Sequence, residues 1–151
     1  MPESISVGTH VQSAPLMMTR ERMRWYCDAL ETAARQDGQF VIAEPTIHTD
    51  DAYAKAQGLP GIIADGMLST NYISSLLYRH FGVGYLSSGE LVTKFIRPVY
   101  EDDVVQAHAQ VTAVDDEVIA LEVWVDTADG QKVTVGTAKA PRTAARGEEA
   151  A

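Results

Sequence analysis

From Val104 to Ala140 apolar side chains fall on every second position, and this alternation limits the possible folds more than any other feature of the chain. Val105, Ala107, Ala109, Val111 and Ala113 alternate with Gln106, His108, Gln110 and Thr112. A period of two predicts a strand over Val104 to Val114 with one face in a core and the other toward water. Ile119, Leu121, Val123 and Val125 repeat the pattern, and Asp129-Gly130 predicts a tight hairpin turn into a strand over Val133 to Ala140. An earlier strand is predicted over Leu91 to Ile96, ended by Pro98. A sheet with one apolar face must bury it on something.

The first half of the chain supplies the partner, because there the period is that of a helix. Met23, Tyr26, Cys27, Leu30 and Ala34 share one side, with Arg20, Arg24, Asp28, Glu31 and Arg35 around the other. This predicts an amphipathic helix begun by Thr19 and ended near Gly38. A short helix is predicted from Thr49, as N-cap, to Gly58, where Gly58-Leu59-Pro60-Gly61 stops it. A longer, more apolar helix starts at Asp65, runs through Met67, Leu68, Ile73, Leu76 and Leu77, and breaks at Gly82. Gly66, Thr70 and Ser74 line one face of it and are small enough to let another element come close. The order is helix, helix, long helix, then four antiparallel strands. The expected class is therefore α+β, a hotdog architecture in which an antiparallel sheet wraps around a central helix.

No repeat and no linker interrupts this plan, so residues 1–151 are expected to form a single domain. The first fifteen or so residues show no period and are expected to lie flexibly over the surface. Thr143 to Ala151 reads as a disordered tail.

Composition narrows the function. Twelve basic against 21 acidic residues give a formal net charge of -9, which argues against nucleic acid as a partner. No stretch approaches the roughly 20 apolar residues of a membrane span, and the start, MPESISVGTH, has neither a basic region nor an apolar run. Cys27 is the single cysteine, so an internal disulfide is impossible, and a reducing cytoplasm is the expected setting. His10, His48, His80 and His108 are scattered, without a pair at helical spacing, so no metal site is expected. No Gly-x-Gly-x-x-Gly, phosphate loop or Gly-x-Ser-x-Gly occurs, and no cofactor is expected. On the residues alone, His80 reads as a cation at a helix C-terminus, while His108 on a polar strand face and His10 near the chain start have no evident partner.

One stretch carries a more specific signal. It reads Ala43, Glu44, Pro45, Thr46, Ile47, His48, Thr49, Asp50, then Ala54, then Gly58-Leu59-Pro60-Gly61, then Asp65-Gly66-Met67-Leu68. Further on come Lys94-Phe95-Ile96-Arg97-Pro98-Val99 and Glu101-Asp102-Asp103-Val104. From His48 to Ala140 the chain resembles the MaoC-like hydratases, the (R)-specific enoyl-CoA hydratases and related acyl-thioester dehydratases. Their hallmark runs Asp, any residue, Asn, Pro, Ile or Leu, His, any residue, Asp, followed by a Gly-rich turn and His-Gly-Met-Leu at the start of the central helix. A later strand ends in Pro-Val before a Gly-Asp turn. The resemblance makes His48 the retained His, Gly66 the backbone donor for the thioester oxygen, and Ser74 a hydroxyl lining the pocket. It places Ala43 where the family has its catalytic Asp and Asp65 where the family has His.

Adding water to a double bond conjugated with a thioester needs a base for the water proton, an acid for the α carbon and donors for the enolate oxygen. A helix start offers unpaired N–H groups and partial positive charge to that oxygen. A methyl group at position 43 cannot accept a proton, so another carboxylate must serve. Glu44, Asp50 and Asp65 are near in sequence, and Asp65, beside the oxyanion donor, is the favoured partner of His48; as a preferred N-cap residue it is also expected to cap the long helix. Glu44, Ser74 and Arg97 are the substrate-binding candidates, Lys94 and Arg79 joining Arg97 in a local basic rim for an anionic carrier, with Met67, Tyr72 and Tyr85 as candidates to shape an acyl pocket.

The resulting expectation is a hydratase or dehydratase acting on enoyl or 3-hydroxyacyl thioesters linked to CoA or a carrier protein. A hotdog acyl-CoA thioesterase and a non-catalytic subunit paired with an active relative are the alternatives. An open sheet edge favours association, so a homodimer or an assembly of dimers is expected.

Overall fold

The computed structural model of the protein describes residues 5–31 and 45–142. The expected C-terminal part of the first helix, with Ala34, Arg35 and Gly38, falls outside those residues, as do Ala43, Glu44 and the tail from Thr143 onward. In chain order the elements are β1 (His10–Gln12), β2 (Leu16–Met17), α1 (Arg20–Glu31), α2 (Asp51–Ala56), α3 (Gly66–Ser88), β3 (Glu90–Phe95), β4 (Val104–Val114), β5 (Val118–Thr127) and β6 (Lys132–Pro141).

The strands make one antiparallel sheet in the order β1-β4-β5-β6-β3, with β2 also pairing with β4. The long helix α3 packs on β3, β4, β5 and β6, which is the hotdog arrangement that the alternation predicted. The apolar set of β4 and β5, from Val105 to Val111 and from Ile119 to Val125, is buried on the helix side against Leu68, Ile73, Leu76, Leu77 and Phe81. Alanines at 107 and 109 keep this face of β4 shallow, so a helix can lie close without leaving voids.

Local chemistry sets the element ends. Thr19 starts α1 as predicted, its hydroxyl accepting from the Arg22 N–H at 3.2 Å. Asp65 caps α3, its carboxylate accepting from the Met67 N–H at 2.9 Å. At Gly82 the backbone takes φ 65, the left-handed region open to glycine, and the helix is interrupted as expected; it then resumes to Ser88, beyond the predicted stop. Gly130, at φ 82, closes the β5–β6 turn, where its N–H donates to the Thr127 carbonyl at 2.8 Å.

Three expectations need correction. The short helix starts at Asp51 with Asp50 as its cap, accepting from Tyr53 N–H at 2.7 Å, because the Thr49 hydroxyl is taken by the Thr46 N–H at 3.0 Å. The strand predicted over Leu91 to Ile96 lies one residue earlier. The opening segment is not without regular structure: β1 and β2 add to the edge of β4, with Ser13 N–H donating to the Ala107 carbonyl at 2.8 Å between them. Strands of three and two residues are too short to display a period.

Candidate active site

The site begins with the loop between α2 and α3, which side chains and backbone pin at several points. Asp51 accepts from the Ile62 N–H at 3.0 Å and meets Arg20 of α1 at 2.9 Å. Arg20 first, and the Ile62 N–H second, hold the Asp51 carboxyl below the usual carboxylate range. Ile63 bridges to Tyr100, its N–H donates to the Ile47 carbonyl at 3.0 Å, and the Ala64 N–H donates to the Val99 carbonyl at 2.8 Å. The carbonyl of Ile63 is therefore fixed in place.

That carbonyl lies 2.8 Å from Nδ1 of His48. A carbonyl can only accept, so Nδ1 carries the hydrogen and the neutral ring keeps its lone pair on Nε2. Nε2 lies 4.0 Å from Oδ2 of Asp65, and the two side chains are 25% and 23% exposed. The separation is too long for a direct hydrogen bond and suits one bridging molecule. The other oxygen of Asp65 is engaged by the Met67 N–H, which fixes the carboxylate at the helix start. Tyr26 of α1 stands near enough that burial and the Asp65 carboxylate push its phenol up, against the pull of its hydrogen bond to Asn71.

Next to Asp65, Gly66 opens α3, and its N–H has no acceptor among the described residues. A Cβ at this position would sit 2.6 to 2.7 Å from three atoms of the Phe95 ring. One turn on, the Thr70 hydroxyl meets that of Thr93 at 2.8 Å, and after another turn Ser74 accepts from the Tyr85 hydroxyl at 3.2 Å. The row of small residues on α3 thus does admit a close neighbour, and at Gly66 and Thr70 that neighbour is strand β3.

His48, Asp65, Gly66 and Arg97 line one cavity of about 530 Å³, whose apolar walls come from Leu59, Ile63, Phe95, Ile96 and Val99. The volume lies within the usual range for a small-molecule site. Arg97 stands at the border with a second cavity of about 580 Å³, lined also by Asp102, Asp103 and Asp129, and donates to the Lys132 carbonyl at 3.2 Å.

Other expected residues are placed elsewhere. Ser74 is spent on Tyr85 and does not line the cavity, nor do Lys94, Met67, Tyr72 and Tyr85; Arg79 and Tyr72 border a separate space of about 280 Å³. Asp50 is committed to capping α2, and Glu44 lies outside the described residues. Of the three neighbouring carboxylates, Asp65 is the one seen to face His48. Sequence reasoning missed the Ile63 carbonyl, which carries no side-chain signal, and Phe95. The alternation of β3, which sends Thr93 and Phe95 toward the helix, could have found the latter.

The histidines without an evident partner in the sequence have partners here, which corrects that reading. Asp126 accepts from Nε2 of His108 at 3.0 Å; in the neutral ring Nδ1 of His108 then accepts from Nε2 of His10 at 3.1 Å. The Trp124 indole lies 5.0 Å from His108 and within 7° of parallel, with the Lys132 ammonium 4.6 Å from the Trp124 ring. Among the described residues no three His, Cys, Asp or Glu side chains converge as a metal site, and no helix is long and apolar enough to cross a membrane.

Comparison with known proteins gives a consistent pattern. Residues 45–134 match the family described as MaoC like domain. The fold is similar to that of the R-hydratase PhaJ1 from Pseudomonas aeruginosa, with a TM-score of 0.70 and 22% identity over 91% of this chain and 83% of that one. It is also similar to the ChsH1-ChsH2 complex from Mycobacterium tuberculosis, with a TM-score of 0.69 and 22% identity over 92% of this chain and 100% of that one. A third likeness is to HadBC, a 3R-hydroxyacyl-ACP dehydratase complex from Mycobacterium tuberculosis, with a TM-score of 0.62 and 17% identity over 92% and 98% of the two chains. No curated protein matches the chain in sequence.

Proposed function

The chain belongs to the family of MaoC-like domains, and from that premise we propose that it is a hydratase or dehydratase of enoyl and 3-hydroxyacyl thioesters, carried on CoA or a carrier protein. One observation carries the reading: an imidazole with a free Nε2 faces a carboxylate 4.0 Å away, beside the unsatisfied N–H at the start of α3, within a mostly apolar cavity. Support at the level of fold comes from the likeness to an R-hydratase and to a 3R-hydroxyacyl-ACP dehydratase.

In the hydration direction a water molecule bridges His48 and Asp65. Its oxygen bonds to C3 of the enoyl group while Nε2 takes one of its protons. The C2–C3 π electrons move toward the thioester, and the Gly66 N–H stabilises the negative oxygen, aided by the helix dipole. The proton held by the His48–Asp65 pair then passes to C2, which leaves the pair as it began and the substrate richer by one water. Dehydration is the reverse. No cofactor is needed. Asp65 here takes the part that Ala43 cannot, and Arg97 at the cavity border contacts the anionic carrier. Glu44, next in sequence to the segment that carries His48, is a further candidate to contact the substrate.

We place the single-domain protein in the cytoplasm, as a homodimer or an assembly of dimers. The outer edge of β3, with Val92 66% exposed and Phe95 and Ile96 beside it, is the edge that a second copy would cover.

The test is to incubate the purified protein with a panel of enoyl- and saturated acyl-CoA thioesters. Loss of enone absorbance is the expected result. Release of free thiol without that loss would mean a thioesterase, and silence on every thioester would mean a non-catalytic subunit; either outcome overturns the proposal.

A further inference from the structure

Gly66 has no side chain, and the space where a Cβ would stand belongs to Phe95: three ring atoms lie within 2.6 to 2.7 Å of that point. The ring is not buried in the core. It is 48% exposed and lines the same cavity as His48, Asp65 and Gly66. Its place is set by two neighbours in register, since Phe95 pairs with Thr134 across the sheet and Thr93, two residues earlier on the same face, is bonded to Thr70 of α3. The ring therefore rests against the first turn of the helix at the residue whose N–H is free.

We infer that Phe95 is a specificity-determining residue, which admits thioesters unbranched at C2 and turns away those with a substituent there. This rests on the reading of Gly66 as the donor to the thioester oxygen. An oxygen held by that N–H brings its carbonyl carbon and C2 against whatever covers Gly66, and the covering group is an aromatic ring in van der Waals contact. A methyl added to C2 would press on that ring, and the polar side of the cavity must stay open for the water between His48 and Asp65.

The experiment compares (E)-but-2-enoyl-CoA with its 2-methyl derivative, using the full chain and the variants Phe95→Ala and Phe95→Leu. The unchanged protein is expected to favour the unbranched substrate by about tenfold or more in kcat/KM, the usual discrimination for one methyl group in a tight pocket. Phe95→Ala is expected to shrink that ratio at least several-fold, chiefly by raising the rate on the branched substrate, with Phe95→Leu in between. Equal use of both substrates by the unchanged protein, or an unaltered ratio in Phe95→Ala, overturns the inference while leaving the proposed chemistry standing. Should neither enoyl thioester turn over, the proposed chemistry fails first, and calorimetric binding of butanoyl-CoA and 2-methylbutanoyl-CoA decides the role of Phe95 separately. Preference for the straight chain that is lost in Phe95→Ala supports it; equal binding, or no binding of either, overturns it.

Discussion

Two histidines in this molecule each face an aspartate, and they are built to opposite ends. His108 sits 3.0 Å from Asp126, its side chain only 9% exposed, and its second nitrogen is taken by His10. His48 has one nitrogen fixed by a backbone carbonyl, and the other opens into a cavity 4.0 Å from Asp65. By proximity alone the first pair is the stronger interaction. By chemistry it is the poorer candidate, because a ring whose two nitrogens are both bonded to protein has no lone pair to offer a substrate. The lesson is that the number of ring nitrogens left over matters more than the distance to the carboxylate.

The largest effect is expected from substituting His48. His48→Gln should lower kcat on an enoyl thioester by about 10²- to 10⁴-fold, the usual worth of a positioned general base. The thermal melting midpoint should hardly move, since among the described residues the one hydrogen bond of the side chain is to a backbone carbonyl. Asp65→Asn comes next, with a loss of roughly 10²-fold and a native circular dichroism spectrum, because asparagine caps a helix about as well as aspartate. A fully active Asp65→Asn protein would remove that carboxylate from the reaction. The smallest effect on rate is expected at the other pair. His108→Ala should leave kcat almost unchanged and lower stability by about 1 to 3 kcal/mol in a urea melt, as Asp126 and His10 lose their shared partner. Loss of turnover at unchanged stability in that variant would reverse the assignment of the two histidines.

The two pairs also differ in how far the sequence revealed them. His48, Asp65 and Gly66 lie within one short stretch whose order of residues carries the family resemblance, and the N-cap role of Asp65 follows from residue type alone. The bounds of β4 were readable because eleven residues of alternation leave little freedom. His108 was read correctly as lying off the apolar face of that strand, but its burial comes from Trp124 across the sheet and from His10, 98 residues away in the chain. Periodicity within a strand contains no information about such a neighbour. The Ile63 carbonyl was invisible for a different reason: every residue has one, and only the folded loop decides which carbonyl meets an imidazole. Ser74 illustrates the reverse, a residue read as sharing a helix face with Gly66 and Thr70 and as lining the pocket, whose hydroxyl the fold gives to Tyr85.

The pairing of His10 with Gln110 has a consequence for the order of assembly. A strand of three residues offers few bonds to repay the entropy of closing so long a loop. β1 is therefore expected to dock after β4 and β5 have formed and Trp124 is in place to receive the two imidazoles. During synthesis the chain must extend past Asp126 before this segment, made earlier than β4 and β5, has its full docking surface.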